Sequence, residues 1–561
     1  MKHLFFFLSF IFCSFALPAQ NEAGKFKYES TYFYTDKDCY IAGEEVLVKF
    51  LVFNSDKQFS NVSKVGYIEF SDTEKPYIQK KLALIDGIGN GKIRIPTHIP
   101  SGVYQVSAYT RYMWNQGKEY FFVKNIAIIN PDIPETNSVQ YSEIPPNPDS
   151  DEISSLFSIQ TDRPVYQNRE QVKVKLENLP ASMIDLAISV YRNDVLTSLP
   201  PYFSNDPSKL FPDPTKNIEK LNWTPEYEGH IITAQIAPEQ ETHPSAGGAI
   251  SFVGDKIFFF NGQPTSKNGE YIFYTAGIYD EQELVTSVFA KDKTDIAGKL
   301  DINNPFFNHL QKNRPNLTVY LTDSVLSERY IGAQLLDIRT GENTISFDEP
   351  KDYLNLQTYR IYDLDEYTRF STLQEIMIEF VIGARVRREQ GKPIIQVFQR
   401  SERLYSTTNT LALLDGVPIF NHEEVLAYNP QHIQYIKIYN GRYVFGENVF
   451  NGIISFVTHE KNLPFFQLNE NSQLFRYECP TLPLTFAFPE YPNAEKRKSN
   501  LPDFRHTLYW NPSPEIPKNG SPIEFSFYTS DLCGDFEVVV EGITSDGEII
   551  HTQTKFKVSG E

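Results

Sequence analysis

Thr35-Asp36-Lys37-Asp38-Cys39-Tyr40-Ile41-Ala42-Gly43-Glu44-Glu45-Val46-Leu47-Val48-Lys49-Phe50 recurs 126 positions later as Thr161-Asp162-Arg163-Pro164-Val165-Tyr166-Gln167-Asn168-Arg169-Glu170-Gln171-Val172-Lys173-Val174-Lys175-Leu176. Thr, Asp, Tyr, Glu, Val, Val and Lys coincide at matched spacings. In each copy a polar turn leads into Val-x-Val-Lys alternation, the period-2 pattern of a strand with one buried face. A strand module used twice makes the chain mainly β, with tandem β-sandwich modules as its plan.

In the first copy Ser101 to Thr110 reads as a turn followed by another alternating strand, and Glu119 to Ile129 closes the module. These landmarks resemble the modules of the alpha-macroglobulin family, in which an aspartate, a basic residue, a tyrosine and often a glycine introduce a strand of valines. The resemblance implies macroglobulin-like sandwiches at 24–131 and 153–222, joined by a Pro-, Ser- and Glu-rich linker at 132–152. From Glu228 the pattern becomes strand, Gly/Pro-rich turn, apolar strand (Lys256 to Phe260), then Asn268-Gly269 and Glu270 to Tyr274; Asn-Gly between apolar runs predicts a hairpin. Residues 226–302 thus resemble the transthyretin-like sandwich that serves as a regulatory module on some carboxypeptidases. Connecting strands are expected at 303–363.

Residues 364–460 carry the helix signals. Thr372-Leu373-Gln374-Glu375 is a capping box ahead of the apolar run Ile376 to Val381, and a second short helix starts at Asn421 and stops before Pro430. Strands are expected at Ile394 to Gln399, Leu411 to Leu414, Ile433 to Tyr439 and Ile453 to Thr458. The order Leu411-Ala412-Leu413-Leu414-Asp415-Gly416-Val417-Pro418-Ile419-Phe420, Ile433 to Tyr439, Gly446, then Asn451-Gly452-Ile453 to Thr458 resembles the plug domain of TonB-dependent outer-membrane receptors. This implies one small α+β plug-like domain. A receptor barrel needs about 22 strands of ~10 residues, whereas 101 residues follow Glu460. Those are expected to hold a linker at 461–500 and a C-terminal macroglobulin-like module at 501–561 with a Ser545-Asp546-Gly547 turn. As a whole the chain is similar to multidomain secreted proteins of Bacteroidetes-type bacteria that combine such modules.

Length and charge narrow the function classes. The chain has 561 residues and a formal charge of −19, which opposes attraction to nucleic acid or anionic lipid. Lys2 and His3, an apolar run from Leu4 to Leu17 and then Pro18-Ala19-Gln20 make residues 1–20 a secretory signal peptide. No later segment approaches a transmembrane helix. Export to the periplasm or the outer-membrane surface is expected. Three cysteines then remain, Cys39, Cys479 and Cys533; Cys479 and Cys533 are the plausible disulfide pair, with buried thiols as the alternative.

No catalytic, cofactor-binding or metal-ligating set emerges. The thioester motif of protease-trapping macroglobulins is missing, since Cys533 is followed by Gly534-Asp535-Phe536. His422 beside Glu423 and Glu424 reads as a capped helix with acids in its first turn. Asp415 reads as a turn residue between two strands, and Gly87-Ile88-Gly89-Asn90-Gly91 as a hairpin turn without the Lys-Ser/Thr of a P-loop. Arg385, Arg387 and Arg388 form a basic cluster that suits a carboxylate-bearing partner or a solvated loop. Two classes follow: a non-enzymatic binding or scaffold protein working beside outer-membrane or envelope proteins, or a plug-like component acting in trans with a separate TonB-dependent barrel.

Overall fold

The computed structural model describes residues 28–133, 139–142, 157–194, 196, 210–211, 221–236, 246–262, 270–290, 298–313, 315–320, 328–332, 341–344, 359–400, 403–406, 410–445, 448–517 and 520–560. The expected signal peptide and the Asn268-Gly269 turn lie outside them. The chain is mainly β, arranged as sandwiches around one α+β domain.

The first sandwich packs a three-stranded sheet, Glu29–Thr35, Glu45–Asn54 and Ile88–Arg94, on a five-stranded one built from Cys39–Ile41, Phe122–Ile129, Gly102–Tyr109, Val65–Ser71 and Pro76–Ala83. Val46, Val48, Phe50 and Val52 alternate into its core against Ile68, Phe70, Val106 and Ile126. The opposite face of the same strand is buried too, because Leu51 and Phe53 join Tyr32 and Tyr34 in packing on Ala187, Trp510 and Ile543 of the second sandwich.

Both copies of the repeat close in the same way. The Asp36 carboxylate accepts from Tyr40 Oη at 2.7 Å and Leu47 N at 3.0 Å, and Asp162 accepts from Tyr166 Oη at 2.7 Å and Lys173 N at 2.8 Å. Glu44 and Glu170 accept from Ile41 N and Gln167 N. Gly43 and its counterpart Arg169 both adopt positive φ, 93° and 54°. A side chain is tolerated at the second position, where the Arg169 guanidinium binds Asp531 and the carbonyls of Arg497, Ser499 and Leu501.

The second sandwich departs from the expected pair of separate modules at 153–222 and 501–561. Gln171–Glu177 pairs with Ile523–Tyr528, so that Val172 lies opposite Phe527. Met183–Arg192 lies between Gly534–Thr544 and Thr507–Asn511. Residues 157–192 supply four strands, and the C-terminal strands complete the core: Val172, Val174, Ile188 and Val190 pack on Phe527, Phe536, Val538 and Val540.

The third sandwich pairs the sheet Glu270–Tyr274, Ile231–Ile236, Leu300–Ile302 with the sheet Phe258–Gly262, Ala246–Phe252, Glu281–Ala290, Ser472–Glu478. Phe258–Gly262 and Glu270–Tyr274 therefore belong to opposite sheets and form no hairpin, since each buries its apolar residues in the shared core from its own side. Nor is 461–500 simply a linker: Ser472–Glu478 is an edge strand that carries Tyr477 into that core, followed by Leu484–Ala487 and the helix Ala494–Arg497.

Within this sandwich is inserted the α+β domain, a sheet ordered Arg360–Asp363, Ile433–Phe445, Asn448–Thr458, Leu411–Leu414, Val417–Ile419, with the smaller sheet Ala384–Glu389, Lys392–Gln399, Leu404–Tyr405 beside it. The capping box at Thr372 forms and starts the helix Leu373–Glu379, and Asn421 caps His422–Leu426. The whole is nested: the α+β domain lies within the third sandwich, which lies between the two halves of the second. No helix among the described residues is long and apolar enough to cross a membrane.

Candidate functional site

Two places concentrate polar or exposed apolar groups. The first is a half-open cleft of about 280 Å³ between the first and second sandwiches, lined among others by Asp36, Asp38, Lys124, Asp194, Glu537 and Glu541. Each acid is committed. Asp36 accepts from Thr507 Oγ1 at 2.8 Å in addition to Tyr40 and Leu47. Asp38 pairs with Lys124 at 2.8 Å, Asp194 with Arg192 at 3.1 Å, and Glu537 with Lys555 at 3.2 Å. Glu541 accepts from Tyr32 Oη. Behind the cleft Lys49 Nζ reaches Asp185 at 2.6 Å, and Arg329 holds Glu44 through two 3.0 Å bonds.

Burial sets the protonation of these groups. It pushes Glu541 up to about 7, with Lys124 opposing only in part. It drives His506 and His551 down to about 4, so both are neutral at physiological pH. For Glu44, burial is outweighed by Arg329 and Lys37, which hold it at about 2. The bonds Thr507 to Asp36, Tyr32 to Glu541 and Lys49 to Asp185 cross between the two sandwiches and join them.

A second buried network joins the first sandwich to the third. His230 lies between Glu226 Oε1 at 2.9 Å and Tyr477 Oη at 2.7 Å, with Tyr67 Oη also on Glu226 at 2.9 Å and Lys81 Nζ within 3.2 Å of both His230 and Tyr477. Burial, reinforced by Lys81, lowers His230 to about 4, and burial lowers Lys81 to about 8. The sequence marked none of Glu226, His230 or Arg329; Glu226 and His230 are local neighbours, four positions apart, but Tyr67, Lys81 and Tyr477 around them, and Glu44 for Arg329, each stand more than 100 positions away.

The residues singled out in the sequence have structural places. Asp415 (φ 45°) and Gly416 (φ 78°) form the turn between Leu411–Leu414 and Val417–Ile419. The Asp415 carboxylate, held above its ordinary range by burial, accepts from Thr458 N, Thr458 Oγ1 and Leu463 N. Its carbonyl accepts from Gly254 N of the third sandwich at 2.9 Å. His422 Nδ1 accepts from Ile395 N at 2.9 Å, and Glu423 and Glu424 occupy the first helical turn. Gly87 makes a tight turn bounded by reciprocal Ile85–Ile88 backbone bonds, but the flanking strands belong to different sheets. The expected Cys479–Cys533 disulfide is not formed: Cys479 is buried in the third sandwich, Cys533 is exposed on the second, and both are free thiols. Among the described residues no group of three or more His, Cys, Asp or Glu could hold a metal ion.

The second place is the surface of the α+β domain. Ile361, Ile378, Ile382, Leu404, Val444 and Phe465 are 58–83% exposed, and every other large apolar side chain of the described residues is exposed by 53% or less. Arg387 and Arg388 stand exposed beside them on Ala384–Glu389.

No protein-family model matches the chain, and no curated protein matches it either. Among solved structures it is similar to Salmonella alpha-2-macroglobulin reacted with methylamine, at 8% identity and a TM-score of 0.22 over 95% of this chain and 39% of that one. Escherichia coli alpha-2-macroglobulin activated by porcine elastase gives 9% identity and a TM-score of 0.22, over 95% of this chain and 44% of that one. Dimeric latent PorU from Porphyromonas gingivalis gives 8% and 0.14, over 95% and 34%. The chain spans about two fifths of the length of the macroglobulins.

Proposed function

We propose that this chain is an exported, non-enzymatic binding or scaffold protein that works beside outer-membrane or envelope proteins, with its α+β domain as the contact surface. The observation that carries this reading is the concentration of the most exposed apolar side chains on that one domain. Exposed apolar residues are ordinary one at a time; that the six most exposed all fall on one domain is what favours that domain as the place of contact. The domain is also firmly seated, because Leu411, Leu413, Tyr439 and Ile453 share a core with Ala249, Ile257 and Phe259 of the third sandwich. A rigid platform loses little ordering entropy on binding.

The test is affinity capture from native envelope fractions with the parent and with an Ile378→Asp/Phe465→Asp variant. The expected result is a defined partner that the variant fails to retain while its unfolding midpoint is unchanged. A parent that captures nothing overturns the reading. The in-trans plug reading is supported by the plug-like motif of 411–458 forming contiguous strands of one sheet; it requires the captured partner to be a barrel.

A further inference from the structure

We infer that the edge strand Ala384–Glu389 is a docking site for an extended, acidic polypeptide segment, added as a further strand to this small sheet. The inference rests on the binding-protein reading above and names the chemistry of the partner.

Three observations converge. Among the described residues Ala384–Glu389 pairs on one side only, with Lys392–Gln399, and is the outermost strand of its sheet. Its sheet is anchored: Ala384, Ile395 and Val397 are buried in the main core of the domain, with Val386 packed against it. The anchored strand therefore offers a fixed row of backbone groups, the template for strand addition.

Charge selects what can pair there. Residues 384–403 contain six basic residues, Arg385, Arg387, Arg388, Lys392, Arg400 and Arg403, against Glu389 and Glu402, in a chain whose overall charge is −19. Arg385 is held over the Tyr405 ring at 4.1 Å and donates to Gln396 at 3.0 Å. Arg387 and Arg388 are exposed. Being consecutive, they project to opposite faces of the sheet, so an incoming strand would meet an arginine on either face. Opposite charges directly across a strand pair attract and like charges repel. Charged edges normally prevent pairing of any kind; an edge guarded by two adjacent exposed arginines, with Glu389 only at its end, repels a basic segment but attracts an acidic one. Ile382, 60% exposed immediately before the strand, supplies apolar contact at its start. An anionic membrane would use the arginines but not the open backbone edge, which favours a peptide.

The probe is a fluorescent ten-residue peptide alternating Glu and Val, tested on the full chain by anisotropy at low and high salt. Two control peptides replace Glu by Lys or carry N-methyl groups at alternate amides. Vesicles of phosphatidylglycerol and phosphatidylcholine form a separate arm. The acidic peptide is expected to bind with a salt-sensitive affinity that falls by about ten-fold in the R387E/R388E variant, while the Lys and N-methyl peptides fail to bind. Equal binding of the N-methyl peptide overturns strand addition. Binding to vesicles without binding to the acidic peptide overturns the partner class. If R387E/R388E retains the envelope partner of the parent undiminished, this inference falls while the binding-protein reading stands.

Discussion

Asp36 and Asp162 make the same two hydrogen bonds at the same places in the repeat, yet burial raises the first above the ordinary aspartate range while Tyr166 and Lys173 help hold the second below it. The difference is the second sandwich, which covers Asp36 and adds Thr507 as a third donor. Asp36→Ala strands Leu47 N and Thr507 Oγ1 at a buried site, while Tyr40 Oη keeps its bond to the Lys37 carbonyl, and is expected to cost roughly 3 kcal/mol in urea unfolding, against about 1–2 kcal/mol for Asp162→Ala. Equal losses would mean that the joint is wet. The buried histidines set the acid limit. His230 titrates at about 4 in the fold against an ordinary 6.5, so between those values the unfolded chain binds more protons and stability falls as pH falls from 6.5 to 4. Glu541, at about 7 against 4.5, has the opposite sign and withdraws stability as pH rises through that interval. His230→Gln should flatten the acid limb of a Tm–pH profile, and Glu541→Gln the limb toward neutrality, each by up to roughly 3 kcal/mol. The Asp-Tyr-Val grammar of the repeat was legible because its bonds close within a dozen residues. The ion pair of Arg329 with Glu44 was not, because nothing near either residue specifies the other.

Short elements with local signals were read at their places: the Thr372 cap, the Asn421 cap and the strand Leu411–Leu414. Pairing was read less well. Alternation shows that Phe258–Gly262 and Glu270–Tyr274 are strands but not that they lie in opposite sheets, and Ser472–Glu478 was lost in a presumed linker because only alternate partial burial marks it. The element that seats the α+β domain is the Asp415-Gly416 turn. A Cβ on Gly416 would meet the carbonyl oxygens of Lys256 at 2.9 Å and Phe252 at 3.0 Å, at a φ that side chains rarely adopt. Gly416→Ala is therefore expected to loosen the contact of this turn with residues 252–256 at a cost of roughly 2–3 kcal/mol. Hydrogen exchange should accelerate at Gly254, whose amide is bound to Asp415, while the Thr372-capped helix keeps its protection. Unchanged exchange at Gly254 would refute this account of the seat.

At the scale of the molecule the decisive feature is the nesting, which no local pattern announces: Val172 and Phe527, 355 positions apart, are cross-strand neighbours. Periodicity identifies a strand and its buried face but is silent on which distant strand covers it, so one sandwich read as two. The first sandwich contains all its own strands within residues 29–129, and those of the third sandwich and α+β domain end by Glu478. The second sandwich draws its strands from two distant stretches, 158–192 and 507–558. Ending the chain at residue 500 removes Thr507–Asn511, Ile523–Tyr528, Gly534–Thr544 and Ile549–Val558, and uncovers Val172, Val174, Ile188 and Val190. The strands left between 158 and 192 are too few to form an independently stable sheet. The truncated protein is expected to lose amide protection across Gln171–Glu177 and Met183–Arg192 and to bind a hydrophobic dye. Protection should persist at Val46–Val52 and at Leu411–Leu414, whose partners remain in the chain. For the same reason the intact protein should protect Gln171–Glu177 last during refolding, since closing so long a loop precedes any contact that rewards it. Early protection there, or its survival in the truncated chain, would show that residues 157–192 form a core of their own.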